Sequence, residues 1–97
     1  MGAVKAERTI SLPWGEATVE EEIIVPGAGG GQRRFEVGIA RLRERGDGGE
    51  ELLRFFYRVA GRTTRGPLTL RPAEMEGLAA QLRDAPELRR LVRRLLE

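Results

Sequence analysis

The sequence has no cysteine and no histidine, and its single lysine is Lys5. Without cysteine the chain forms no disulfide and no thiolate metal site, and without histidine it lacks the commonest metal ligand and general base. Its serine and threonine hydroxyls therefore have no histidine to activate them as nucleophiles. These absences predict a binding protein and not an enzyme, with no catalytic residues, no metal site and no cofactor.

Long apolar runs are also missing from the sequence. No run approaches the roughly 20 residues that a transmembrane helix needs, and the stretch Met1–Lys5 lacks the apolar core of a secretory signal. We therefore expect a cytoplasmic protein that does not enter a membrane. With 97 residues, we expect a single domain over 1–97, because a core of this size already buries only a modest share of its chain's surface.

Arginine dominates the basic residues, accounting for all but one of the 17. The guanidinium group suits forked contacts with phosphate or carboxylate and stacking on flat rings, although a GC-rich genome produces the same bias. The net charge is only +2, but positions 33–65 hold nine basic and five acidic residues, whereas 1–32 hold two basic and five acidic residues. The positive charge is concentrated in the middle of the chain.

Alternating apolar and polar residues predict strands through the first two thirds of the sequence. The four predicted strands cover 9–14, 17–25, 35–43 and 53–59. In the first strand Trp14 is predicted to belong to the apolar face, and in the second Val19 is predicted to share a face with Ile23. The stretch 68–70 predicts a short fifth strand.

The last third of the sequence has helical spacing of its apolar residues. One stripe, which includes Met75, follows Pro72, and a second follows Pro86. Proline is favoured in the first turn of a helix, and Asp84 is predicted to cap the second helix. The predicted fold class is α+β: an antiparallel four- to five-stranded meander followed by a C-terminal amphipathic helix or a kinked helix pair.

The fourth strand carries the most informative pattern for function. Arg54, Phe56 and Arg58 project from one face of a strand, since alternate residues share a face. A ring between cations on an open sheet offers single-stranded nucleic acid a stacking platform beside neutralised phosphates. The alternative is that Phe56 lies under a helix or a dimer partner while the arginines pair across strands with Glu20 and Glu22.

Further arginines are predicted to extend this nucleic-acid-binding surface. Arg62 and Arg65 belong to the turn after the fourth strand, and Arg34, Arg41 and Arg43 belong to the neighbouring strand. The C-terminal arginines form a basic helical face that fits nucleic acid, a membrane surface or a partner helix, or is simply solvated.

The acidic run at 20–22 is the remaining candidate for a divalent cation. Successive residues of a strand point to opposite faces, so at most Glu20 and Glu22 are expected to converge. Two carboxylates alone make a poor cation site. We therefore expect no metal there.

The segment 65–75, with the sequence RGPLTLRPAEM, continues into Leu78 and Leu82. It resembles the end of the sheet and the start of the helix in the positive cofactor four family of single-stranded-DNA-binding transcriptional coactivators. The strand before it, with its aromatic and basic residues, is also similar, and the resemblance covers about residues 33–83. It implies a curved four-stranded antiparallel sheet packed on a helix, dimerisation through the helices, and single strands bound along basic, aromatic-bearing strands and loops.

The chain departs from the family's pattern at several points. Pro67 is an extra residue before the strand, Met75 stands where the family has an aromatic residue, and arginines replace lysines. The second helix, 86–97, is an addition.

The sequence as a whole predicts a homodimeric protein that binds single-stranded DNA or RNA and acts in transcription or DNA maintenance. The arginines are expected to contact phosphates and the ring of Phe56 to stack on a base. The alternative is a homodimeric interaction or assembly module without a nucleic-acid role. In that case Phe56 and the helix stripes make subunit contacts and the arginines pair with carboxylates.

Overall fold

In this computed structural model the described residues are 4–27, 35–46, 48–64 and 68–97. The strands are β1 (Val4–Leu12), β2 (Gly15–Pro26), β3 (Phe35–Glu44), β4 (Glu51–Val59) and β5 (Arg62–Thr64), and the helices are α1 (Pro72–Leu82) and α2 (Pro86–Arg94). The strands pair in sequence order, each antiparallel to the next, as a curved half-barrel sheet. The predicted α+β fold, a meander followed by helices, is confirmed.

The fifth strand differs from the prediction in its position. It runs from Arg62 to Thr64 and follows a tight turn in which Ala60 and Gly61 have positive φ angles of 53° and 81°. Leu68 and Leu70 lie outside regular structure and pack on the core. The apolar alternation at 68–70 therefore reflects contact of these residues with the core and not pairing as a strand.

A β-bulge in β2 corrects a second prediction, the shared face of Val19 and Ile23. Val19 pairs with Leu42 and Glu21 pairs with Arg41, so that Glu20 is the extra residue. An extra residue reverses the alternation of faces on its two sides. Val19 consequently lies on the opposite face of the sheet from Ile23.

The helices cover one face of the sheet. Its buried core consists of residues from β2, β3, the two helices and the connection between them, namely Ile23, Val25, Val37, Ile39, Leu78, Ala85 and Leu88. We call this the helix face. The Gln81 side-chain amide also donates a hydrogen bond of 3.1 Å to the backbone carbonyl of Ile24, which fixes α1 on β2.

The other face carries its own apolar cluster, which we call the inner face. Its buried members are Ala17, Val19, Ala40, Leu42 and Phe56. Neither α1 nor α2 contributes to this cluster. The described side chains that pack against it, Ile10, Leu12, Ile24 and Leu52, all belong to the strands.

α1 packs Leu78 and Leu82 of its predicted apolar stripe on the core, but Met75 at the start of the stripe faces outward. Met75 is 48% exposed, whereas Glu74 is only 2% exposed. The Glu74 carboxylate accepts a hydrogen bond of 2.7 Å from the backbone N–H of Arg71. Capping the first turn thus turns Glu74 inward, because the first N–H groups of a helix need acceptors.

α2 is capped from the sheet and not by Asp84 as predicted. Its N-cap residue is Ala85, which has no side-chain acceptor. The Glu21 carboxylate of β2 instead accepts a hydrogen bond of 3.1 Å from the backbone N–H of the buried Leu88. An anionic acceptor also suits the positive end of the helix dipole. Neither described helix is long and apolar enough to cross a membrane.

Candidate functional site

The predicted trio on β4 comes together as the alternation requires. The guanidinium carbons of Arg54 and Arg58 lie 5.8 and 5.4 Å from the centroid of the Phe56 ring, within the range of cation–π contact. The ring itself is only 6% exposed. The expectation of an open stacking platform at Phe56 therefore differs from the structure, in which the ring belongs to the inner-face core.

Gly38 explains how Phe56 is buried without a helix or a second chain. The two residues are opposite each other in the β3–β4 register. A Cβ atom at position 38 would lie 2.5 Å from Phe56 Cζ, so the ring occupies the space that a side chain would take. The two flanking guanidinium groups then cover the outer side of the ring.

Arg58 is engaged by a carboxylate, as the alternative interpretation expected. The largely buried Glu22 side chain lies 3.4 Å from Arg58 Nη2 and accepts two hydrogen bonds from Arg8, of 2.7 and 3.3 Å. The hydrogen bonds to Glu22 raise the pKa of Arg8 above its ordinary value. This ion-paired group closes the inner face beside Phe56.

Arg41 and Arg43, which were predicted to contact phosphates, lie on the helix face and apart from Arg54 and Arg58. The mostly buried Arg41 is 2.6 Å from Glu20, 3.4 Å from Glu51 and 3.7 Å from Glu21. Arg43 is 3.5 Å from Glu20 and 3.8 Å from Glu51. Their alternation with Ile39 places them on this face, where carboxylates already occupy their guanidinium groups.

The same contacts correct the expected geometry of the acidic run at 20–22. Glu20 and Glu21 converge on Arg41 because of the bulge, whereas Glu22 turns to the inner face and pairs with Arg8 and Arg58. The part of the chain that the structure describes contains no group of three or more possible ligands for a metal ion.

The remaining arginines of the predicted binding surface include one that the structure places on β5 and two that it does not describe. Arg62 is exposed on β5, opposite Val59. Among the described residues, neither Arg54 nor Arg62 has a carboxylate partner. Arg34 and Arg65 lie outside the described residues. Of the predicted arginines that the structure describes, Arg54 and Arg62 are thus those whose guanidinium groups pair with no described carboxylate.

A groove that the sequence did not predict adjoins Arg54. Its volume is about 340 Å³, and it is lined by residues from the end of β1, the β1–β2 connection, β3 and the first half of β4, namely Leu12, Trp14, Leu42, Leu52, Leu53, Arg54 and Phe55. We call it the Trp14 groove. Trp14 and Phe55 are 65% and 42% exposed, and the indole N–H of Trp14 donates a hydrogen bond of 2.7 Å to Glu44.

The short β5 explains why Phe55 is accessible. β5 pairs only with residues 57–59 of β4, so the outer edge of β4 from Glu51 to Phe56 has no partner among the described strands. The groove wraps over this edge, with Arg54 on the inner face and Phe55 on the helix face. The sequence signal for Trp14 is its position between Pro13 and Gly15, which favours a turn over the strand that was predicted.

Comparisons of the chain with protein-family models, with curated proteins and with solved structures found no match. The resemblance to the positive cofactor four family, and the dimer that it implies, therefore stay predictions. The class that the geometry defines is an α+β protein whose half-barrel meander carries two helices on one face and an aromatic groove at the edge of β4.

Proposed function

We propose that the protein binds single-stranded DNA or RNA in the Trp14 groove, as a factor in transcription or DNA maintenance. Trp14 and Phe55 stack on bases, and Arg54 contacts a phosphate. Arg62, on the same face of the sheet as Phe55, contacts a second phosphate farther along the strand. The observation that carries the proposal is the pair of exposed aromatic side chains beside an arginine without a carboxylate partner among the described residues.

Each feature of the groove matches a requirement of single strands. Unpaired bases expose their faces, and stacking on an aromatic side chain contributes about 1–3 kcal/mol per base. Phosphates replace water around an accessible guanidinium, and the arginine fork suits their oxygens. The groove lies over an edge of β4 that has no partner among the described strands, and an extended polymer would run along that edge. In a duplex the base faces are stacked on one another, so the two rings could not reach them.

The test is the fluorescence anisotropy of a labelled oligothymidylate of about 12 nucleotides at low salt. Trp14→Ala and Phe55→Ala are each expected to weaken binding by about 5- to 150-fold, which corresponds to one lost stacking contact. Arg54→Gln should reduce the slope of log affinity against log salt by about 0.7. Met75→Ala, which removes an exposed apolar side chain of α1, is the control and should leave binding unchanged.

Absence of binding by the wild-type protein would contradict the proposal. So would a Trp14→Ala protein that binds as tightly as Met75→Ala. If the wild type and Arg54→Gln have equal salt slopes, Arg54 does not contact a phosphate.

A second candidate function is homodimeric assembly, and the edge of β4 from Glu51 to Phe56, which has no partner among the described strands, favours it. An exposed strand edge is a template for pairing with another chain, and Leu53 and Phe55 lie on that edge. Sedimentation velocity with and without oligonucleotide separates the two functions. If oligonucleotide dissociates the dimer, the second subunit and the nucleic acid both use this edge of β4. If the protein is a dimer that binds no oligonucleotide, the result supports assembly alone.

A further inference from the structure

The outward side of α2 carries a concentration of arginines. The apolar residues Leu88 and Leu91 of α2 are buried on the side of the helix that faces the sheet. The opposite side forms a shallow cavity of about 400 Å³, lined by Pro86, Arg89, Arg90, Arg93, Arg94 and Glu97. We call this the α2 arginine surface.

Most of this positive charge is not compensated. Arg90 lies 2.7 Å from Glu51 and 3.0 Å from Glu87. Arg89, Arg93 and Arg94 have no carboxylate partner in the described part of the chain. Arg89 and Arg93 are four residues apart, so they lie on the same side of the helix, separated by about 6 Å along its axis. A row of accessible guanidinium groups is complementary to a row of phosphates.

The α2 arginine surface adjoins the Trp14 groove. Arg90 joins α2 to Glu51, the first residue of β4. Leu53, which lines the groove, is two residues farther along and on the same face of β4 as Glu51, and two residues of a strand span about 7 Å. A polymer that leaves the groove past Leu53 towards Glu51 would therefore come close to the arginines of α2.

We propose that the α2 arginine surface binds backbone phosphates of the same single strand, outside the groove. The groove holds bases by stacking, and α2 holds the adjoining phosphates by charge. This proposal rests on the proposed function, since it extends the same site. It assigns to α2 a contribution to affinity that depends on the length of the oligonucleotide and on salt.

The test compares oligothymidylates of about 4 and about 16 nucleotides, the range of site sizes for single-strand-binding folds. The variant is Arg89→Gln/Arg93→Gln. The matched control, Arg71→Gln/Arg83→Gln, removes the same charge from exposed arginines at the two ends of α1. Affinities are measured between about 50 and 200 mM KCl, where phosphate contacts are strongly salt-dependent.

We expect the α2 variant to bind the long oligonucleotide more weakly than the control, with a salt slope smaller by about 1.4 for two lost phosphate contacts. Over that salt range the wild-type affinity should then fall about sevenfold more than that of the variant. Both double variants should bind the short oligonucleotide as the wild type does.

Several results would overturn the proposal. If the α2 variant and the control have the same slope on the long oligonucleotide while Trp14→Ala still weakens binding, the α2 contact is wrong and the groove stands. If neither oligonucleotide binds to the wild type, both proposals fail. If only phosphatidylserine vesicles bind, and the α2 variant loses that binding, the α2 arginine surface recognises lipid headgroups instead.

Discussion

The neighbouring phenylalanines of β4 offer a direct comparison between a core residue and a groove residue. Phe56→Ala removes a ring that is 6% exposed and leaves Gly38 uncovered on the opposite strand. Truncating a buried phenylalanine costs about 3–5 kcal/mol, and that figure includes the loss of contacts such as those with Arg54 and Arg58. For a domain of this size each kcal/mol lowers the melting temperature by about 4–8 °C, so we expect a fall of roughly 12–40 °C.

The control for this prediction is Phe55→Ala, the same substitution one residue away. Phe55 is 42% exposed on the other side of the strand, so its truncation should cost about 1 kcal/mol or less. Urea unfolding measures both variants, and oligonucleotide anisotropy should show the opposite order, with Phe55→Ala the weaker binder at a temperature where both are folded. Equal destabilisation of the two variants, or a Phe56→Ala protein within about 1 kcal/mol of the wild type, would refute the assignment of Phe56 to the core.

Three further substitutions test the contacts that shape the fold. Gly38→Ala would place a Cβ atom 2.7 Å from the Ile23 carbonyl oxygen, so urea unfolding should show a loss of about 1–3 kcal/mol; an unchanged midpoint would contradict that packing. Hydrogen bonding from Arg90 lowers the pKa of Glu51 below its ordinary value of 4.5, so its stabilising effect is present above that pH and is lost as the pH falls through the lowered pKa. Glu51→Gln should therefore be less stable than the wild type at pH 7, and this difference in unfolding free energy should shrink as the pH falls through the lowered pKa of Glu51; a difference that does not depend on pH would contradict the ion pair. Glu21→Ala leaves a buried N–H in the first turn of α2 without its acceptor, which should cost about 1–3 kcal/mol in thermal unfolding; wild-type stability would contradict the cap.

Much of the fold follows from alternation and helix-start signals in the sequence. β3 and β4 keep an unbroken alternation, so the common face of Arg54, Phe56 and Arg58 was predicted correctly. Pro72 and Pro86 likewise begin the two helices where they were expected. These features are local, because each depends on residues within one element.

The features that were missed depend on contacts between elements. The bulge at Glu20 leaves no clear signal in the sequence, yet it reverses the face of Val19. The burial of Phe56 depends on Gly38 being its cross-strand partner, which only the β3–β4 register determines. Trp14 is exposed because the chain turns at Pro13, two residues before β2 begins. The candidate site therefore lies at the edge of β4 and not around Phe56 at its centre, where it was predicted.

The expected cytoplasmic location and the absence of catalytic activity remain predictions, as does the homodimer. Several of the chain's many arginines have a structural role, whether or not the protein binds nucleic acid. Arg41 binds three carboxylates on the helix face, and Arg8 and Arg58 bind Glu22 on the inner face. The nucleic-acid proposal concerns the arginines that remain without such partners in the described residues.

Trp14 is the single tryptophan of the chain, so its intrinsic fluorescence reports on the groove without a label. Titration with an oligothymidylate of about 12 nucleotides should quench its emission in a saturable way. The midpoint should match that of the anisotropy titration and shift to higher concentration in Phe55→Ala. Unchanged emission while anisotropy reports a bound oligonucleotide would contradict the account, because the strand would then lie away from Trp14.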